Sequence, residues 1–216
     1  MKALIRFLTT VGALALVAVT GAQAQIVIHP DMFYVHGEVG GTLVQDLTIR
    51  NAGGAKNRLD PGFRTSVSAG LNFTDFVAGE LETGIIGNSL DTSASQPFSA
   101  IATRADLTQY PLLANLILKA PLRGGVTPYI GAGAGGVAST LYLHSPGSWS
   151  RDTDFTFAYQ GMAGVKVALN RNMEVGVGYK FLGTLNHSWF QDDPVLFTQT
   201  GKTFTHSILA TFTWNF

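Results

Sequence analysis

Apolar and polar residues alternate along most of the chain from Phe33 onward, most sharply at its end. In the final segment Phe204, His206, Ile208, Ala210, Phe212, Trp214 and Phe216 share one parity, and Thr203, Thr205, Ser207, Leu209, Thr211, Thr213 and Asn215 the other. Successive side chains of a strand point to opposite faces, so a period of two predicts a strand with one apolar face and one small polar face.

The same reading repeats upstream. Met173, Val175, Val177, Tyr179 and Phe181 oppose Glu174, Gly176, Gly178 and Lys180. Phe155, Phe157, Tyr159, Ala163, Val165, Val167 and Leu169 oppose Gln160, Gly164 and Lys166. A glycine-rich stretch sets Ile130, Ala132 and Ala134 against Tyr129, Gly131, Gly133 and Gly135, and before it Leu112, Ala114, Leu116 and Leu118 oppose Asn115 and Lys119. Val77, Leu81 and Ile85 oppose Glu80 and Glu82; Val67, Ala69, Leu71 and Phe73 oppose Arg64, Ser66, Ser68 and Asn72. The first segment sets Phe33, Val35, Val39 and Leu43 against Tyr34, His36 and Glu38. Eight strands result, several of ten or more residues, whereas strands of soluble proteins average about 5–6. Such lengths point to strands that cross a bilayer.

The connections alternate as a transmembrane barrel requires, short on one side and long on the other. Short links fall at Asn72–Asp75, Ala120–Gly125 and Asn170–Asn172; long polar links fall at Arg50–Gly62, Gly87–Ala105, Ser145–Asp154 and Asn186–Lys202. The stretch from His206 to Phe216 rises roughly 33 Å along a strand, or about 25 Å when tilted by ~40°, the height of an apolar barrel band. Aromatics then fall at both interfaces, where amphipathic rings are best placed. The expected fold is all-β: an eight-stranded antiparallel transmembrane up-and-down β-barrel.

Composition supports this against a soluble alternative. Only 13% of residues are charged and 46% are hydrophobic, and mean hydropathy is +0.21, while soluble domains carry about 25% charged residues. Beyond the N-terminal segment no run of 18 apolar residues exists to form a spanning helix. The chain has no Cys and zero net charge, so neither a disulfide framework nor a nucleic-acid surface is indicated. Residues 1–24 read as a cleaved export signal: Lys2 and Arg6, the apolar run Phe7–Val19, then Ala22 and Ala24 at peptidase-readable positions. The barrel domain is expected over 25–216. An uncleaved anchor is the rival reading, but the apolar run is short for a ~20-residue span.

The segments Pro128–Gly135, Gln160–Lys166 and Glu174–Lys180, with the terminal aromatic tail, resemble the small outer-membrane β-barrel proteins of Gram-negative bacteria, the opacity and surface-antigen type related to the OmpA/OmpX barrels. The resemblance implies integral outer-membrane location and contact with outer-membrane lipid and lipopolysaccharide. It also implies that Phe212, Trp214 and Phe216 form the signal read by the barrel-assembly machinery. It leaves activity open, because one fold carries several functions.

The lumen of an eight-stranded barrel is just wide enough for side chains to fill. The inward face carries His36, Glu38, Arg64, Glu80, Glu82, Lys119, Lys166, Glu174 and Lys180. Because an unpaired buried charge costs several kcal/mol, this near-balanced set reads as an ion-pair network plugging the lumen; a polar path for small solutes is the alternative. Trp149, Trp189 and Phe190 are candidate contacts for an extracellular ligand, against the plainer reading of girdle or loop packing. Asp152 with Asp154, and Asp192 with Asp193, are acidic pairs suited to divalent cations or simply solvated. The pairs His144–Ser145, His187–Ser188 and His206–Ser207 raise lipid-modifying chemistry, but neighbours in a strand face opposite sides, so His206 and Ser207 cannot form a dyad. No cofactor or metal motif appears. The expected function is therefore a non-catalytic surface protein displaying four extracellular loops for structural, adhesion or antigen-type interactions. A minor porin-like channel is the alternative, and a lipid A-modifying enzyme a more distant one.

Overall fold

The computed structural model describes residues 32–44, 47–48, 56–57, 61–90, 104–145, 148–185, 187–189 and 199–216. The expected export signal, Phe190, Asp192 and Asp193 lie outside them. Among the described residues eight long strands form one closed barrel. They are β1 (Phe33–Val44), β2 (Gly62–Asn72), β3 (Val77–Leu90), β4 (Arg104–Lys119), β5 (Val126–Ser145), β6 (Ser148–Ala168), β7 (Met173–Thr184) and β8 (Phe204–Asn215). Each strand pairs antiparallel with its neighbours in sequence, and β1 closes the ring against β8 with Val35 opposite Trp214 and Val39 opposite Ala210. Closure satisfies the backbone within the wall, the condition for lying in hydrocarbon.

Alternation becomes burial. In β8 Thr205, Ser207, Leu209, Thr211 and Thr213 are buried in the lumen, while Ile208 and Phe212 face outward with 73% and 44% exposure. Exposed aliphatic side chains such as Val39, Val67, Leu81, Leu116, Ile130, Val165 and Val177 form the outer band. Aromatics flank it: Phe33, Phe73, Phe76, Trp214 and Phe216 are exposed at the short-turn end. At the opposite end Phe181 stacks on Phe204 at 6.0 Å between centroids, and the Tyr179 hydroxyl meets His206 Nδ1 at 2.6 Å.

Short turns close locally. Thr74 Oγ1 accepts from the Phe76 and Val77 amides, and Asn170 Oδ1 accepts from those of Asn172 and Met173. Gly124 and Gly125 hold φ of 86° and 76°, a region L side chains rarely adopt, and so turn the chain into β5.

One long link is not as the sequence suggests. Ser145–Asp154 is mostly strand: β5 and β6 continue as a paired ribbon to Ser145 opposite Ser148, leaving only 146–147 between them. Polar side chains on both faces read as loop, but above the apolar band they cost nothing in a strand. Cross-strand contacts hold the ribbon instead, with Arg151 over the Tyr142 ring at 5.5 Å and Thr140 bonded to Thr153 at 2.9 Å. Trp149 therefore lies on β6, its backbone opposite His144. Trp189 ends a short strand, His187–Trp189, paired with Gln199–Gly201. A second small ribbon pairs Leu47–Thr48 with Lys56–Asn57.

Two tyrosines lie over neighbouring strands inside the lumen because glycines make room. The Tyr34 ring lies over Gly70, where an added Cβ falls 2.1 Å from Cζ. The Tyr129 hydroxyl lies against Gly164 and Gly178, 2.6 Å from a Cβ at either. At Gly178 the next neighbour of that Cβ is 3.7 Å away, so the hydroxyl alone blocks it. Gly178→Ala is expected to destabilise the barrel by about 1–3 kcal/mol, and Tyr129→Phe in the same chain to restore most of the loss. Urea unfolding of the refolded barrel measures both; no rescue would mean that another contact fixes this glycine.

Candidate functional site in the barrel lumen

The inward faces stack into layers along the barrel. At mid-height Glu82 of β3 is fully buried. Its Oε1 accepts from Arg64 Nη2 at 2.9 Å, and its Oε2 accepts from Lys180 Nζ at 2.9 Å, Asn115 Nδ2 at 2.8 Å and Gln160 Nε2 at 2.7 Å. Lys180 also bonds Glu38 Oε2, which accepts from Ser66 Oγ at 2.8 Å as well. Glu38 Oε1 stands 3.1 Å from His36 Nε2, and His36 Nδ1 meets Thr213 Oγ1 at 2.8 Å. Gln160 Oε1 accepts from Arg64 Nη2 at 3.0 Å.

Seven strands contribute to this network; β5 contributes the space. A Cβ on Gly133 would lie 1.9 Å from Asn115 Oδ1. Gly133 thus has a positional cause: the network occupies the volume its side chain would fill.

Apolar layers seal the network on both sides. Ile86, Leu113, Val137, Ala158 and Leu182 fill the lumen toward the long-loop end, each with no exposure. Tyr34, Ala78, Ile117, Tyr129 and Met162 fill it toward the short turns. Nearer the loops Gln109 Nε2 donates to Ser139 and Thr203 at 3.3 Å.

The nine inward charges do not form a single ion-pair network. His36, Glu38, Arg64, Glu82 and Lys180 are joined. Glu80, Lys119, Lys166 and Glu174 lie closer to the short turns and make no direct ion pairs with them or with one another. Instead Glu80 accepts from the Tyr34 hydroxyl at 2.8 Å and Lys119 Nζ donates to Asn72 Oδ1 at 2.6 Å. The Lys166 ammonium lies 5.6 and 5.3 Å from the ring centroids of Tyr34 and Tyr129. Height decides this, for the intervening tyrosines separate the two groups. Parity places Ser66, Asn115, Gln160 and Thr213 on the same inward faces as the charges, but it gives no sign that these neutral side chains join the network.

Outside the lumen, Phe212, Trp214 and Phe216 face outward at the short-turn end, and the Phe216 amide donates to the Phe33 carbonyl at 3.1 Å. Among the three His–Ser pairs, His206 and Ser207 occupy opposite faces, outward and inward. His144 Nε2 lies 3.7 Å from Asp106 on a half-exposed surface. Asp152 accepts from the adjacent Thr153 amide, and no cluster of three metal-ligating side chains occurs among the described residues.

Residues 11–216 match the family described as outer membrane protein beta-barrel domain. The chain is similar to the crystal structure of Neisserial surface protein A, with 17% identity, 85% of this chain and 97% of that one covered, and a TM-score of 0.59. It is also similar to the outer membrane protein OprG from Pseudomonas aeruginosa, at 15% identity, coverage of 85% and 96%, and a TM-score of 0.52. No curated protein matches the chain.

Removing the carboxylate at the centre of the network strands the buried Arg64 and leaves Lys180 with Glu38 alone. Glu82→Gln is expected to cost about 3–5 kcal/mol, and Glu82→Gln with Arg64→Met to recover much of it by removing one charge of each sign. Urea unfolding in detergent micelles checks this; equal losses in the single and double variants would mean that the pair contributes only shape.

Proposed function

The chain belongs to the outer membrane protein beta-barrel domain family and is an integral protein of the Gram-negative outer membrane, and on that premise we propose that it is a non-catalytic surface protein displaying extracellular loops. The observation that carries this reading is the closed lumen: Arg64 and Glu82 together with Ile86, Leu113 and Leu182 are fully buried side chains filling the bore. A rigid scaffold with a plugged bore leaves its loops as the surface through which it meets other molecules.

The four connections at the end opposite the short turns face the exterior, and the short turns face the periplasm. Lipopolysaccharide packs about the outer band, and the loop bearing Trp189 and Phe190, with Trp149 on the neighbouring ribbon, supplies bulky contacts to an extracellular ligand. The Thr213–His36–Glu38 chain has the connectivity of a hydroxyl, a base and a carboxylate. Glu38 is also engaged by Lys180 and Ser66, which supports a structural role for the three.

Two measurements test the reading. Replacing 186–202 by a short turn is expected to leave heat-modifiable mobility intact and to lower adhesion of expressing cells to immobilised protein and glycan surfaces; adhesion that survives loss of every long loop overturns it. In planar bilayers the protein is expected to give no discrete conductance, and a steady open level would favour a channel instead.

The terminal aromatics serve assembly under the same proposal: Phe212, Trp214 and Phe216 present one outward strip to the insertion machinery. Deletion of Phe216 is expected to reduce the amount in the outer membrane several-fold, read by immunoblot of membrane fractions. Undiminished levels would assign these side chains to the girdle alone.

A further inference from the structure

The lumen ends at the short turns in a blind chamber. Its inner part, about 100 Å³, is lined by Tyr34, Lys119, Tyr129, Lys166, Glu174 and Thr213 among others. It shares Asn72, Lys119, Thr127 and Glu174 with an outer part of about 590 Å³, where Phe73, Phe76 and Pro121 add apolar surface. The tyrosine and Ile117–Met162 layer closes its floor.

Two ammonium groups face this chamber without a direct ion pair. Lys166 is 94% buried, since only 6% of it is exposed, and its contacts are the two tyrosine rings. Ring faces compensate only part of the desolvation of an ammonium. Lys119 bonds a neutral amide oxygen. Glu80 is engaged by the Tyr34 hydroxyl, and Glu174, the one acid lining the inner part, makes no ion pair with either lysine. The inner lining is thus one positive charge in excess, with Asp75 standing on the outer part and the Thr127 hydroxyl beside the lysines.

We propose that this chamber binds a small organic acid, its carboxylate or phosphate against Lys166 and Lys119 and its apolar body along Phe73, Phe76 and Pro121. The inner volume suits an oxyanion with a few waters, and the outer falls within the ~300–1,000 Å³ of small-molecule sites. The Thr127 hydroxyl donates to the oxyanion, and the floor beneath it keeps the ligand from passing through the barrel. The site lies at the opposite end from the loops and does not depend on what they bind.

The test uses residues 25–216 refolded in uncharged maltoside micelles, titrated at constant ionic strength with inorganic phosphate, acetate, phenyl phosphate and benzoate. Binding is followed by amide chemical shifts. The aryl acids are expected to saturate, and to bind more tightly than the inorganic or methyl acid. Lys166→Met should weaken them about tenfold or more, the value of a charge-assisted hydrogen bond. Lys119→Met should weaken them less, and Glu174→Gln should tighten them by removing the competing acid. Boiled against unboiled mobility verifies that each variant is folded. Should Lys166→Met fail to fold, the opposed responses of Lys119→Met and Glu174→Gln decide the matter. The proposal is overturned if no probe saturates in either the unaltered chain or Glu174→Gln, if the lysine variants bind as the unaltered chain does, or if the aryl acids gain nothing over phosphate and acetate.

Discussion

Glu82 cannot lie in the lumen as a bare charge. Removing a carboxylate from water costs several kcal/mol even after relaxation, and Glu82 offsets this with donors from Arg64, Asn115, Gln160 and Lys180. Those four residues belong to β2, β4, β6 and β7, so satisfying one carboxylate fixes the relative height of strands on opposite sides of the barrel. A slip of one residue in any of them turns the donor toward lipid and an apolar residue toward the lumen. The network and the outer band therefore enforce the same register from two directions, one by hydrogen-bond geometry and the other by contact with hydrocarbon.

The same constraint accounts for the uneven distribution of side-chain size. An eight-stranded bore holds only a limited volume, and here Arg64, Glu82, Gln160 and Lys180 converge at a single level. Something must be small where they meet. Gly133 on β5 meets that need at the network, and Gly70, Gly164 and Gly178 meet it where Tyr34 and Tyr129 lie. The glycines are complements to specific large partners on other strands, and the apolar layers of Leu113 with Leu182 and of Ile117 with Met162 then exclude water from above and below.

Strand number, facing and closure were legible in the sequence because each depends on a local property. Period two assigns faces, turn residues mark the ends, and in lipid a barrel has to close. The inward position of all nine charges followed from parity alone. Which of them touch did not, because contact depends on relative heights set by register around the whole ring: Glu82 meets Lys180, 98 residues away, while Glu80, two residues earlier, meets only Tyr34. The ribbon at Ser145–Asp154 escaped for the opposite reason. Above the membrane no hydrocarbon demands an apolar face, so strand and loop share a composition there. Only the pairing of Tyr142 with Arg151 and of Thr140 with Thr153 separates them.

Because the seal is at mid-height, the two ends of the barrel are chemically independent. An apolar layer lies on each side of the ionic one, so a solute entering from the short turns meets the Tyr34–Tyr129 floor before it reaches Glu82. Passage would require breaking a set of charge-assisted hydrogen bonds in which each carboxylate serves several partners, and loss of one partner leaves the others buried and unmatched. Such a network resists stepwise opening far more than a column of independent pairs. Under the proposed function the barrel holds two separate surfaces at fixed positions in the membrane without connecting them, and changes in the loops leave the chemistry of the opposite mouth unaltered.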